Sequence, residues 1–112
     1  SLIDYWTVIS EFFPEAFKEP DSYVMQKTTG CYVFHMVFPI VWRTCKDIDD
    51  FSREKMKTIL RTMFEDLADT EGIEMNSDFW HREFGHPLVM GTSMKTFRAI
   101  ASRLTSSFMF PE

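Results

Sequence analysis

From Thr28 to Trp42 the chain runs for 15 residues without a formal charge, and this stretch limits the folds open to it. A membrane-spanning helix needs about 20 apolar residues, and Pro39 falls inside the run. The stretch therefore reads as a buried core helix. Tyr32, Val33, Phe34, Met36, Val37, Phe38, Ile40, Val41 and Trp42 would make it apolar on nearly every side, which is the pattern of a central helix. Its aromatic and β-branched residues would also suit a strand. A strand of 15 residues is long, however, and Pro39 would break a central ladder. Helix is preferred, kinked near Pro39. Thr28-Thr29-Gly30 stands before Cys31–Cys45 as a hydroxyl cap.

The remaining apolar residues supply partners for that helix. Leu2–Phe13 carries Ile3, Trp6, Ile9 and Phe13 at helical spacing, Pro14 stops or kinks it, and Glu15–Lys18 adds one turn before Pro20. Ser22–Lys27 is too short to assign, and extended chain or a first helical turn both stay open. Asp49–Ser52 opens the next helix, whose stripe is Met56, Ile59, Leu60, Met63, Phe64 and Leu67. Glu65–Asp78 holds six acids and no base, with Gly72 and Asn76-Ser77, and reads as a solvated loop. Asp78–Phe84 reads as a short helical turn closed by Gly85-His86-Pro87. Gly91-Thr92-Ser93 starts the last helix, with Met94, Phe97, Ile100, Ala101, Leu104 and Phe108 on its apolar face. The expectation is an all-α compact bundle of about four main helices around a central apolar helix, with room for one short extended segment.

At 112 residues the chain is one domain, residues 1–112, and its 45% hydrophobic content with twelve Phe and eight Met is ample for a core. No Met starts it, Ser1 reads as a processing remnant, and an apolar-periodic segment follows at once. These features suggest a fragment of a longer protein. The net charge of −5 argues against a non-specific nucleic-acid binder, while leaving a local basic face open. Asp4 and Glu11 interrupt the first apolar positions, so no signal peptide is read. If Cys31 and Cys45 share a helix they lie roughly 21 Å apart, too far for a disulfide. Buried thiols then fit a reducing, cytoplasmic setting.

Few residues point to chemistry. Lys27-Thr28-Thr29-Gly30 lacks the upstream glycine of a phosphate loop, but offers a helix N-terminus, two hydroxyls and a lysine as an anion site. Gly91–Lys95, with Ser93 and Lys95, repeats that chemistry at the last helix. Lys95, Arg98 and Arg103 lie opposite its apolar face, where they could meet phosphates, an acidic partner, or the acids of Glu65–Asp78. No acid occurs from Leu88 to Pro111. His81 and His86 are five residues apart with Glu83 between them, which is not the zinc-protease spacing, and no calcium-loop pattern occurs. No catalytic constellation, metal site or cofactor is expected.

Two stretches together resemble a known family. Tyr23–Gly30 before an apolar helix is similar to the Lys-Thr-Thr-Gly segment in the later part of DGQHR-domain proteins, where an element like Phe13-Pro14-Glu15 also lies upstream. Asp78-Phe79-Trp80, a turn, and a Ser-capped helix with a lysine resemble the C-terminal stretch of that family. The likeness spans about Tyr5 to Phe108. The naming motif of the family lies in an N-terminal portion absent here, and Pro87–Met90 replaces its usual small residues. The resemblance implies a helical C-terminal part of a larger protein, related to a regulator of phosphorothioate DNA modification or to defence-system proteins.

The resulting expectation is a non-catalytic helical module of a DNA-associated regulator. Its partners would be the rest of its parent chain, DNA through Lys95, Arg98 and Arg103, or a second copy, with no membrane contact. The alternative is a structural oligomerisation or protein-interaction module without nucleic-acid contact. An enzyme holding a phosphate-bearing ligand at either helix start is a third class.

Overall fold

Phe12 ends the first helix because residue 14 is a proline, whose fixed φ and missing N–H suit the first position of a new helix. The computed structural model describes residues 2–90 and 94–109. Helix α1 spans Leu2–Phe12 and the single turn α2 spans Pro14–Lys18. Helix α3 runs Thr28–Ile48, α4 Arg53–Glu71 and α5 Met94–Met109, with short 3-10 turns at Pro20–Ser22, Ser77–Trp80 and Pro87–Met90. The architecture is an all-α bundle, and among the described residues no strand forms. The extended segment left open by the sequence is a single antiparallel bridge between Tyr23 and His81.

Helix α3 is the organiser, as its lack of charge predicts, but it is not buried on all sides. Val33, Phe34, Val37, Val41 and Cys45 face the core, at spacings of three and four. Tyr32 and Trp42 stay 47% and 39% exposed. Tyr32 stacks on buried Phe97 at 5.5 Å, and Trp42 meets half-buried Phe51 at 4.4 Å with the rings tilted. Each of the two exposed rings thus has one side covered by another aromatic. Helix α5 packs against α3 most extensively and against α4 as well, while α1 lies on α4.

Phe34 is the hub of the interior. Its ring centroid lies 5.6 Å from that of Trp80, 5.7 Å from Phe13 and 6.5 Å from Phe64. Aromatic pairs add about 0.5–1.5 kcal/mol each beyond their buried area, so four segments are held through one side chain. Its carbonyl accepts the Tyr5 hydroxyl at 2.7 Å, and burial pushes the Tyr5 phenol well above its ordinary pKa.

Several sequence expectations are corrected. The inward face of α1 is Tyr5, Val8 and Ile9, not Ile3, which is 76% exposed; both stripes have helical spacing, and only packing on α3 and α4 selects between them. Thr28 is not a cap. Lys27 holds that position without a side-chain cap bond, and Thr28, Thr29 and Gly30 form the first helical turn. The helix also passes Cys45 to end at Ile48, and its C-cap Asp49 adopts the left-handed conformation with φ 54°. Glu65–Asp78 is not a loop throughout, since α4 continues to Glu71 and closes at Gly72 with φ 68°. Beyond it, Ile73, Met75 and Ser77 alternate inward with exposed Glu74 and Asn76. The acids sit on outward positions between apolar residues that reach the core. The α4 stripe is buried as expected, and Ser52 caps it by accepting the Lys55 N–H at 3.1 Å.

Candidate functional site

Three segments, around Phe13, Tyr23 and Trp80, converge on one place in the fold. Phe13 packs edge-on against Trp80 at 6.3 Å, and the Ala16 N–H donates to Ser77 Oγ at 3.3 Å. The Val24 N–H donates to the Trp80 carbonyl at 2.8 Å and the Arg82 N–H to the Ser22 carbonyl at 3.1 Å. The rings of Tyr23 and His81 meet at 5.1 Å. Trp80 is fully buried among these rings, and among the described residues its Nε1–H finds no acceptor. The rings of Phe13 and Phe34 lie beside it, and aromatic faces accept such protons weakly.

Two glycines make the knot closable. A Cβ on Gly30 would lie 2.5 Å from the carbonyl carbon and Cα of Met25, and closer still to that carbonyl oxygen. A Cβ on Gly85 would meet the Phe79 carbonyl oxygen at 2.6 Å. Both positions are glycine because another backbone passes where a side chain would begin.

Each sequence-chosen site residue can now be placed. Lys27 is exposed and pairs with Asp21 at 3.4 Å. Thr29 is buried, and the Gly30 N–H is already donated to the Val24 carbonyl at 3.1 Å, so this helix start offers an anion fewer donors than a free one. Ser93 lies outside the described residues. Lys95 and Arg98 are exposed on α5, and neither is paired with an acid among the described residues. Arg103 is bound to Glu71 at the end of α4. Lys95 and Arg98 thus stand one turn apart on exposed α5, whereas Arg103 is engaged elsewhere.

The histidines have local work. His35 Nδ1 donates to the Cys31 carbonyl at 2.8 Å, because a carbonyl can only accept. His81 Nδ1 accepts the N–H groups of Glu83 and Phe84, both at 3.1 Å, and His86 Nδ1 accepts that of Leu88 at 3.1 Å. Among the described residues no group of three or more His, Cys, Asp or Glu side chains could hold a metal ion. Both thiols are free, and burial pushes each up from its ordinary pKa.

One surface was missed by sequence reasoning. Leu2, Ile3, Trp6, Thr7 and Ser10 line an open hollow of about 440 Å³ on the outer side of α1. Thr7 and Ser10 turn their hydroxyls back to the carbonyls of Ile3 and Thr7, at 2.7 and 2.6 Å. The face is then uncharged and its hydroxyls are already satisfied. Trp6 continues it into a second hollow with Phe17, Gln26, Cys31 and His35. The available signal was the absence of charge from Tyr5 to Ser10, on both sides of the helix. No family model, curated protein or solved structure matches the chain. No helix among the described residues is long and apolar enough to cross a membrane.

Proposed function

We propose that this chain is a non-catalytic helical docking module of a DNA-associated regulator, or of a DNA-modification or defence-system protein, of the DGQHR kind. The observation that carries the reading is where the family-like residues go. Residues from Phe13-Pro14, Tyr23–Gly30 and Asp78–Gly85 meet in one structural knot, with Phe13, Tyr23, Met25, Thr29, Phe79 and Trp80 buried and two sterically required glycines. Motif residues buried in this way serve the fold. What the module offers outward is the uncharged face of Leu2, Ile3 and Trp6, which suits burial against the rest of a larger cytoplasmic protein.

The test is masking of that face. With Thr7→Cys, maleimide labelling should be at least tenfold slower in the parent protein than in the isolated chain. Equal rates would overturn the reading. A self-association module is the alternative, and light scattering that gives a dimer mass for the isolated chain would favour it. DNA contact through Lys95, Arg98 and Arg103 is weakened by the engagement of Arg103 with Glu71. A gel shift of the parent protein with all three changed to Ala decides it, since unchanged affinity and salt slope remove these residues from the DNA path.

A further inference from the structure

Charge is divided along this chain. Residues 1–83 hold sixteen acids against nine Lys and Arg, whereas residues 84–111 hold three Lys and Arg and no acid. The fold turns that division into a surface. Helix α5 buries Phe97, Ile100, Ala101 and Leu104 and exposes Lys95, Arg98 and Ser102. Between its first turns and the Pro87–Met90 turn lies an open groove of about 300 Å³, lined by Pro87, Leu88, Lys95, Thr96 and Ala99. Its floor is apolar, Lys95 stands in its lining, and Arg98 follows one turn further along exposed α5. The turn that forms one wall is pinned from below: Val89 is buried, its N–H donates to the His86 carbonyl at 3.0 Å, and Leu88 N–H bonds His86 Nδ1. A wall held in place reduces the ordering cost of binding.

The geometry points to this groove as the docking site for a short acidic segment of a protein partner that carries a large apolar side chain. The apolar side chain fills the space over Pro87, Leu88 and Ala99, and flanking carboxylates meet Lys95 and Arg98. Charge complementarity selects the occupant. A groove whose own lining holds a lysine and no acid, on a molecule of net charge −5, attracts a carboxylate-rich segment locally, while the body of the protein repels long polyanions. Nucleic acid fits less well, because an apolar floor offers nothing to phosphates and two cations neutralise few of them. The inference rests on reading the chain as a docking module but uses a face separate from α1. Ile3→Lys should therefore leave this groove intact, and the two failures can be told apart.

The probe is a fluorescein-labelled peptide, Asp-Asp-Phe-Glu-Asp-Leu-Leu-Glu, titrated with the 112-residue chain by anisotropy. Saturable, salt-sensitive binding is expected. It should weaken at least tenfold with the double change Lys95→Glu and Arg98→Glu, and also with Ala99→Gln, which fills the floor without altering charge. A peptide with Ser in place of Phe and Leu should bind at least tenfold more weakly, and Arg61→Glu on exposed α4 should have no comparable effect. Circular dichroism confirms that each variant is folded, and Leu88→Ala replaces Ala99→Gln if that variant is not. Absence of binding by the folded wild-type chain, or binding indifferent to both the charge and the floor changes, overturns the proposal. So does tighter binding of a short DNA duplex, lost with the same changes, which would assign the face to nucleic acid.

Discussion

Replacing Gly30 by Ala sets helix propensity against packing, and the two give opposite signs. Ala is favoured over Gly in a helix by about 1 kcal/mol, so propensity alone makes Gly30→Ala stabilising. The structure demands the reverse. Carbon atoms in good contact sit about 3.5–4.0 Å apart, and the new Cβ would begin 2.5 Å from two backbone carbons of Met25. Backbone must move by roughly 1 Å to relieve this. The element that moves is the 23–27 turn, which is tied to Trp80 through Val24 and to α3 through the Gly30 N–H. Losing the burial of Met25 costs about 1.5–3 kcal/mol, and two broken hydrogen bonds about 1 kcal/mol each. After the propensity gain, the net destabilisation is about 3 kcal/mol, or about 12 °C in Tm for a domain of this size. Thermal and urea melts followed at 222 nm measure it. Gly72→Ala is the comparator: Gly72 has φ 68° but nothing within 4 Å of a new Cβ, so only backbone strain of about 1 kcal/mol applies. If Gly30→Ala is as stable as the wild type, or costs no more than Gly72→Ala, the close-approach argument is wrong.

Three further outcomes follow from the same structure. Ser52→Ala removes the side-chain acceptor of the Lys55 N–H and should cost about 1 kcal/mol in urea melts, whereas Thr58→Ala on exposed α4 should not. The Glu11 carboxyl is held below its ordinary value by the hydrogen bond and charge of Lys57, and Asp50 by the backbone and side chain of Ser52. The unfolded chain then binds more protons in acid. The stability from these groups is present above the ordinary carboxylate range and is lost as pH falls through the folded values. Urea midpoints taken from about pH 6 to about pH 3 should fall less steeply in Glu11→Gln than in the wild type. Finally, burial raises both thiols, and Cys45 is 0% exposed, so a disulfide reagent at neutral pH should react with Cys45 only after unfolding. Native reaction of Cys45 at the unfolded rate would contradict its placement.

Parts of this fold were legible because local and global demands agree. The stripe from Met56 to Leu67 has one apolar face, so no packing arrangement could bury a different one, and Ser52 needed only its neighbour Lys55 to act as a cap. Pro14 likewise imposes a break whatever surrounds it. Where a segment offers two apolar faces, the sequence is silent about which goes inward. Helix α1 could bury Ile3 or Tyr5, and the choice fell to the partner that accepts the Tyr5 hydroxyl. Glu65–Asp78 misled because acids dominate its composition, while the residues between them carry the burial.

The candidate surfaces show the same division. Charge along the sequence announced a basic stretch, Leu88 to Pro111, that holds no acid. Only the fold joined Lys95 and Ala99 to Pro87 and Leu88 as one groove, and only the fold removed Arg103 to Glu71. The uncharged run Thr28–Trp42 determined by itself that a helix would sit at the centre. That Gly30 must be glycine was decided by the tertiary structure, because the obstacle is the backbone of Met25, and the fit of one stretch of backbone against another is not written in side-chain periodicity.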